Sequence, residues 1–192
     1  MLSSSLTSYE YYITFIDDFS RKTWIYFLRS KRSEEVLLRF QEFKALVENQ
    51  TGKKIKVLRS DNGGEYTSRA FDEYCRQEGI KRQLTVPYTP QQNGVVERKN
   101  RSIVGAMGAA RAMLHDQSLP FFLWEEACST AVCVLNRSLY RALGSKTPKE
   151  TFTVNVAEKG HFSIFGCLTY SHVPFEKRTK LEATSECGIF VG

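Results

Sequence analysis

Aromatic and β-branched residues crowd two short runs near the start of the chain, Tyr11 to Ile16 and Thr23 to Leu28, with the polar residues Asp17, Asp18 and Ser20 between them. Such side chains fit the pleated surface of a strand and the polar break fits a turn, so the pattern predicts a β-hairpin. Apolar positions then recur at helical spacing: Val36, Leu37, Phe40, Phe43 and Val47 form one stripe. Ser33 is placed to cap that helix, Glu34 and Glu35 suit its first turn, and Thr51-Gly52 ends it. Lys54 to Ser60, apolar at Ile55, Val57 and Leu58, reads as a strand, and Ile80 to Val86 as another. Between them Thr67 to Glu78 reads as a short helix packing through Phe71, Tyr74 and Cys75 and closed by Gly79. Two strands joined by a helix make a parallel crossover and the hairpin supplies an antiparallel edge, so the expected class is α/β, a mixed sheet flanked by helices.

Pro87 and Pro90 stop the second of those strands, since each removes a backbone donor and restricts the residue before it. A helix is then expected from about Gln91 to Asn93 onward. At about 100° per residue, Asn93, Glu97, Asn100, Arg101 and Val104 share one face, while Val96, Ile103, Met107 and Ala110 form the flank that packs inward. Ser118-Leu119-Pro120 leads into an apolar helix, Phe121 to Asn136, whose Phe121, Phe122 and Trp124 are assigned to packing. Beyond Arg137 glycine, proline and lysine rise, and His161 to Val173 and Cys187 to Val191 read as short strands. The expected organisation is a loose stub over 1–10, a core over 11–140 and a carboxy-terminal extension over 141–192.

The chain has 192 residues, 42% of them hydrophobic, enough for one sizeable core. Its formal charge is +6, a modest excess, but the cations gather near Glu97: Lys81 and Arg82 before it, Arg98, Lys99 and Arg101 after it. Together with Asn93 and Asn100 on the same helix they suit a phosphodiester backbone. Cys75, Cys128, Cys133, Cys167 and Cys187 are odd in number and lack C-x-x-C spacing, so reduced, buried thiols are expected rather than disulfides or a zinc site. No signal peptide or run of spanning length is visible, and a soluble, intracellular protein with no membrane partner is expected.

Two carboxylates stand out. Asp61 falls where the strand over Lys54 to Ser60 gives out, before Asn62-Gly63-Gly64, residues that tolerate a sharp bend. A carboxylate at a strand's carboxyl end faces the crevice where open α/β sheets bind ligands. Glu97 follows with 35 residues between, a lone acid on a basic helix. His115, His161 and His172 are scattered, and no nucleophile-and-base set is formed.

Six blocks occur in order: FIDDFSRKTWIYFL, LRSDNGGEY, VPYTPQQNGVVERKNR, LPFFLWEEA, IFGC and GIFVG. Through them nearly the whole chain resembles the integrase of copia-type long-terminal-repeat retrotransposons, the ribonuclease-H-like core of a Pol polyprotein. In that family two Asp and one Glu hold two divalent ions that activate water or a DNA 3′-hydroxyl for in-line attack on a phosphodiester. Asp61 resembles the second Asp and Glu97 the Glu. The resemblance therefore implies Asp61 and Glu97 as catalytic and metal-binding residues, Mg²⁺ or Mn²⁺ as cofactor, retroelement ends and target DNA as partners, a homo-oligomer, and action in the nucleus. Hard cations need oxygen ligands, which explains the carboxylates.

The chain also departs from that pattern. The family's first catalytic Asp lies on the first central strand, upstream of the position of Asp17, so the chain is expected to be truncated there and to lack that strand. Asp17 and Asp18 fall at the hairpin turn and are read as turn residues, not substitutes. Gly105 and Gly108 lie in a repeated G-A-[MA] unit that reads as a short duplication, and VNVAEK over Val154 to Lys159 replaces a turn-rich linker. Two readings follow: a metal-dependent strand-transferring enzyme, or a non-catalytic nucleic-acid-binding or assembly module on the same fold. For the chain by itself the second is favoured.

Overall fold

The computed structural model describes residues 5–84, 105, 107–153 and 163–192. Strands β1 (Tyr11–Ile16) and β2 (Thr23–Leu28) pair antiparallel, Tyr11 opposite Leu28 and Ile16 opposite Thr23. In the turn between them the Asp17 carboxylate accepts from Ser20 N at 2.8 Å and from Ser20 Oγ at 2.6 Å, and Asp18 pairs with Arg21 at 2.8 Å. Both acids thus hold the turn, as their sequence position implies.

The hairpin is the middle layer, because its alternating side chains face two separate cores. Ile13 and Phe15, with Tyr11, Trp24 and Tyr26, join the buried residues of α1 (Ser33–Thr51) and α2 (Arg69–Gln77). Tyr12, Ile25 and Phe27, on the opposite face, pack against α3 (residues 107–116) and α4 (Trp124–Arg137). In the first core Phe15 stacks on Phe43 with ring centroids 4.4 Å apart and Phe40 on Phe71 at 5.5 Å. The predicted stripe of α1 is buried at Val36, Phe40, Phe43 and Val47, and Leu37 packs at its border.

The start of α1 differs from expectation. Arg32 is the cap residue and offers no side-chain bond, while Ser33 is already helical and its hydroxyl donates to Gly64 O at 3.2 Å. Glu35 closes the entry instead, accepting from Arg29 N at 2.7 Å, Ser30 N at 2.9 Å and Ser30 Oγ at 2.8 Å. A carboxylate has lone pairs for all three donors, which leaves Ser33 free to hold the neighbouring loop. At the other end Gly52 takes the left-handed conformation, φ 65°, that a side chain would strain.

Strand β3 (Val57–Ser60) pairs parallel with β4 (Lys81–Leu84), and α2 crosses between them, capped by Ser68, whose Oγ accepts from Phe71 N. The α/β class and both pairing directions agree with the sequence; among the described residues, however, the hairpin and the parallel pair are separate ladders. A single 3₁₀ turn, Phe121–Leu123, precedes α4. Trp124 is 2% exposed and meets Phe27 edge-on at 5.4 Å, whereas Phe121 and Phe122, expected in the core, are 53% and 43% exposed. The tighter turn after Pro120 carries them off the buried stripe of α4. Short helix α5 (Pro148–Thr153) brings Phe152 against Trp24 at 5.0 Å, and β5 (Leu168–His172) pairs antiparallel with β6 (Ser185–Ile189). Cys75 and Cys128 are buried, but Cys187, on the outer hairpin, is exposed; all five thiols are free. Met107 and Ala110 face inward as predicted, while Val96 and Ile103 lie outside the described residues. No described helix is long and apolar enough to cross a membrane.

Candidate functional site

Asp61 directly follows β3, is exposed, and its Oδ1 accepts from Gly63 N at 3.1 Å, so the carboxylate folds over the turn it begins. The turn closes through Tyr66 N donating to Gly63 O at 3.0 Å, and Ser33 anchors Gly64 from the start of α1. The parallel register sets Arg82 opposite Leu58 and Gln83 opposite Arg59, whose guanidinium donates to Gln83 Oε1 at 3.1 Å.

Arg82 ties this loop together. Its Nη2 donates to Tyr66 O at 2.9 Å and to Ser60 Oγ at 3.3 Å, so one group grips both ends of the segment bearing Asp61. Its Nη1 meets Asp72 Oδ1 on α2 at 3.0 Å, and the guanidinium lies 4.7 Å over the Phe71 ring. Position in the sequence groups Arg82 with the phosphate-binding cations, and the structure corrects this. With its side chain only 13% exposed, Arg82 is committed inward and Lys81 alone of that pair faces solvent. The signal that separates the two is strand alternation: Arg82, level with Leu58, falls on the covered side of the pair.

Tyr66 lies beneath the same loop. Burial first, then the charges of Asp61 and Glu65, push its phenol up to about 12. Tyr66 therefore stays protonated near neutral pH and can donate a hydrogen bond but not take a proton.

Glu97 and the nucleic-acid candidates Asn93, Arg98, Lys99, Asn100 and Arg101 lie outside the described residues, as does His161. Among the described residues no group of three His, Cys, Asp or Glu could hold a metal. Asp61 nevertheless fits a hard divalent cation as one ligand: an exposed carboxylate at a strand end, fixed by its own turn.

The integrase core domain family matches residues 4–90, the part of the chain that contains the hairpin, α1 and the Asp61 loop. Over 188 residues, 98% of the chain, the sequence is 48% identical to the retrovirus-related Pol polyprotein from transposon TNT 1-94 of Nicotiana tabacum. Over residues 4–90 the chain carries an integrase core domain. It spans 14% of the length of that tobacco relative. The integrase core is also similar to the catalytic core domain of BIV integrase, with TM-score 0.54 and 24% identity over 73% of this chain and 84% of that one. A second similar structure is the HTLV-2 integrase catalytic core domain in complex with magnesium, with TM-score 0.53 and 24% identity over 72% and 82%. These likenesses establish the fold of the integrase core, a ribonuclease-H-like α/β arrangement.

Proposed function

We propose that this integrase core is the catalytic-core segment of a copia-type retrotransposon Pol polyprotein and that it acts on DNA by metal-dependent strand transfer at the Asp61 loop. The observation that carries the reading is an exposed carboxylate at the end of a parallel strand, in a loop clamped at both ends by Arg82, within an integrase core domain. Asp61 and Glu97 are the proposed ligands, and Asn93, Arg98, Lys99, Asn100 and Arg101 the proposed backbone contacts near them. When held there, a divalent ion supplies polarisation of a phosphodiester oxygen and activation of water or a DNA 3′-hydroxyl. The chain's own part is positional: Arg82 and Ser33 fix the loop, Asn62-Gly63-Gly64 presents no bulky side chain to a DNA backbone, and Tyr66 stays protonated beside Asp61.

The test is joining of an oligonucleotide that mimics a retroelement end to a target duplex, in Mg²⁺ or Mn²⁺, by the chain and by Asp61→Asn and Glu97→Gln. The reading expects joining when the chain is linked to an upstream segment carrying the family's first Asp, and each substitution should abolish it. Duplex binding without joining in any form would leave the second reading, a nucleic-acid-binding module on the same fold.

A further inference from the structure

The hairpin has a second end, away from Asp61. The carboxyl end of β2 leads into Ser33, which holds the Asp61 loop, so Lys22, just before β2, lies at the other end of the strand. Six residues of strand set the two ends about 20 Å apart at about 3.3 Å per residue. Three elements converge on Lys22. Asn136, in the last turn of α4, accepts from Thr23 N at 2.8 Å and donates to Thr23 O at 2.7 Å, locking the start of β2 to that helix. Phe152 of α5 packs on Trp24, and the Lys22 ammonium lies 4.6 Å from the Trp24 ring centroid and 4.1 Å from that of Phe152.

This packing concentrates positive charge. Lys149 lies on α5, whose Phe152 ring covers Lys22, and Arg137 follows Asn136, which binds Thr23, so the three cations lie on elements packed together at this end. Burial first, then repulsion from Lys149 and Arg137, pulls Lys22 below the usual lysine range. The connection from Arg137 to Lys149 carries Arg137, Arg141, Lys146 and Lys149 and no acid. Asp17 accepts from Ser20, Asp18 pairs with Arg21, and Glu150 accepts from Thr147 N at 2.9 Å. Among the described residues neither Lys22 nor Lys149 forms an ion pair.

We propose that Lys22 and Lys149 form a second, sequence-independent contact for a nucleic-acid phosphate backbone, at the end of the hairpin remote from Asp61. The proposal rests on the integrase reading for its choice of partner. Bringing anions to this cluster relieves the repulsion among its cations, and a lysine held between two rings is already ordered, so little side-chain freedom is lost on contact. The span to the Asp61 end corresponds to about six base pairs at about 3.4 Å each, so one duplex is long enough to engage both ends.

The test measures binding of a fluorescein-labelled duplex of arbitrary sequence to the full chain across a range of salt concentrations. Lys22→Met keeps the stem against the rings without the charge, and Lys149→Gln removes the second cation. The slope of log K against log salt should become shallower by about 1.8 in the double variant, about 0.9 for each phosphate that is no longer neutralised, while Lys22→Arg retains it. An unchanged slope in a folded double variant overturns the proposal. If Lys22→Met fails to fold, Lys149→Gln alone decides, by a slope change of about 0.9 or none. Polyglutamate bound by the chain through these lysines, with the duplex slope unaffected, would point to an acidic protein and also overturn it. A slope that depends on Lys22 and Lys149, in a chain with no joining activity even when linked to that upstream segment, upholds this contact while the strand-transfer reading falls.

Discussion

Arg82 shows how one side chain fixes a candidate site. Its fork reaches Tyr66 O and Ser60 Oγ through Nη2 and Asp72 through Nη1 at once, a spread that lysine's single ammonium cannot reproduce. Arg82→Met should leave the Tyr66 carbonyl short of a partner and cost about 1 to 3 kcal/mol, read as a lower urea midpoint. Amide exchange at Gly63 and Gly64 should quicken more than in α1, since the clamp acts on the loop. Arg82→Lys should recover part of the stability and little of the loop protection; full recovery of both would show that charge alone suffices. The acid side of the pH profile also belongs to single residues. Burial pushes Glu35 up, but hydrogen bonds from Arg29 N, Ser30 Oγ and Ser30 N prevail and hold it below the usual range. Glu48 is held low chiefly by the Lys44 hydrogen bond. Their contribution is present above the unfolded carboxylate value and is lost as pH falls through the lower folded one.

At the scale of elements, the joint between the hairpin and α4 depends on one buried amide. Asn136→Ala removes both partners of Thr23, whose backbone N–H and C=O then have no replacement in a site 4% exposed, at a cost of about 2 to 5 kcal/mol. A midpoint shift worth less than about 1 kcal/mol would mean that water repairs the joint. The opposite effect is expected in α3. Gly105 and Gly108 are exposed helical residues with nothing within 4 Å of an added Cβ, so Gly105→Ala and Gly108→Ala should each stabilise by about 0.5 to 1 kcal/mol. Unchanged thermal midpoints in both would place the glycines outside a stable helix. The elements themselves were legible because periodicity records burial: the α1 stripe, the hairpin and the parallel crossover all follow from it. Asp61 was legible too, since a strand end followed by Asn-Gly-Gly leaves few other geometries. What periodicity does not record is rotation at an element's entrance or competition among partners. Phe121 and Phe122 turn outward on a 3₁₀ turn, Ser33 gives its hydroxyl to Gly64 while Glu35 closes the helix, and Arg82 turns inward although Lys81 beside it is an exposed cation.

Across the whole molecule, two aromatic cores on either side of one hairpin bury groups that ionise only at alkaline pH. Burial first, and then nearby negative charge, pushes Tyr66 and Cys128 up to about 12. Burial likewise raises Tyr12, Tyr26, Tyr74 and Cys75. These groups lie in both cores, so neither half of the fold escapes the effect. In the unfolded chain the thiols lose their protons near 9.0 and the phenols near 10.0, while the folded chain keeps them to higher pH. Over that interval the unfolded state binds fewer protons, so stability must fall as pH rises, by about 1.4 kcal/mol per pH unit for each group caught between its two values. Urea midpoints should therefore hold between pH 7 and 8 and decline progressively from pH 9 toward 12. Tyr66→Phe should make the decline between pH 10 and 12 shallower by about one proton's worth, about 1.4 kcal/mol per unit. A flat profile from pH 8 to 11 would mean that these phenols and thiols ionise in the folded chain as freely as in water, and that the two cores are not closed around them.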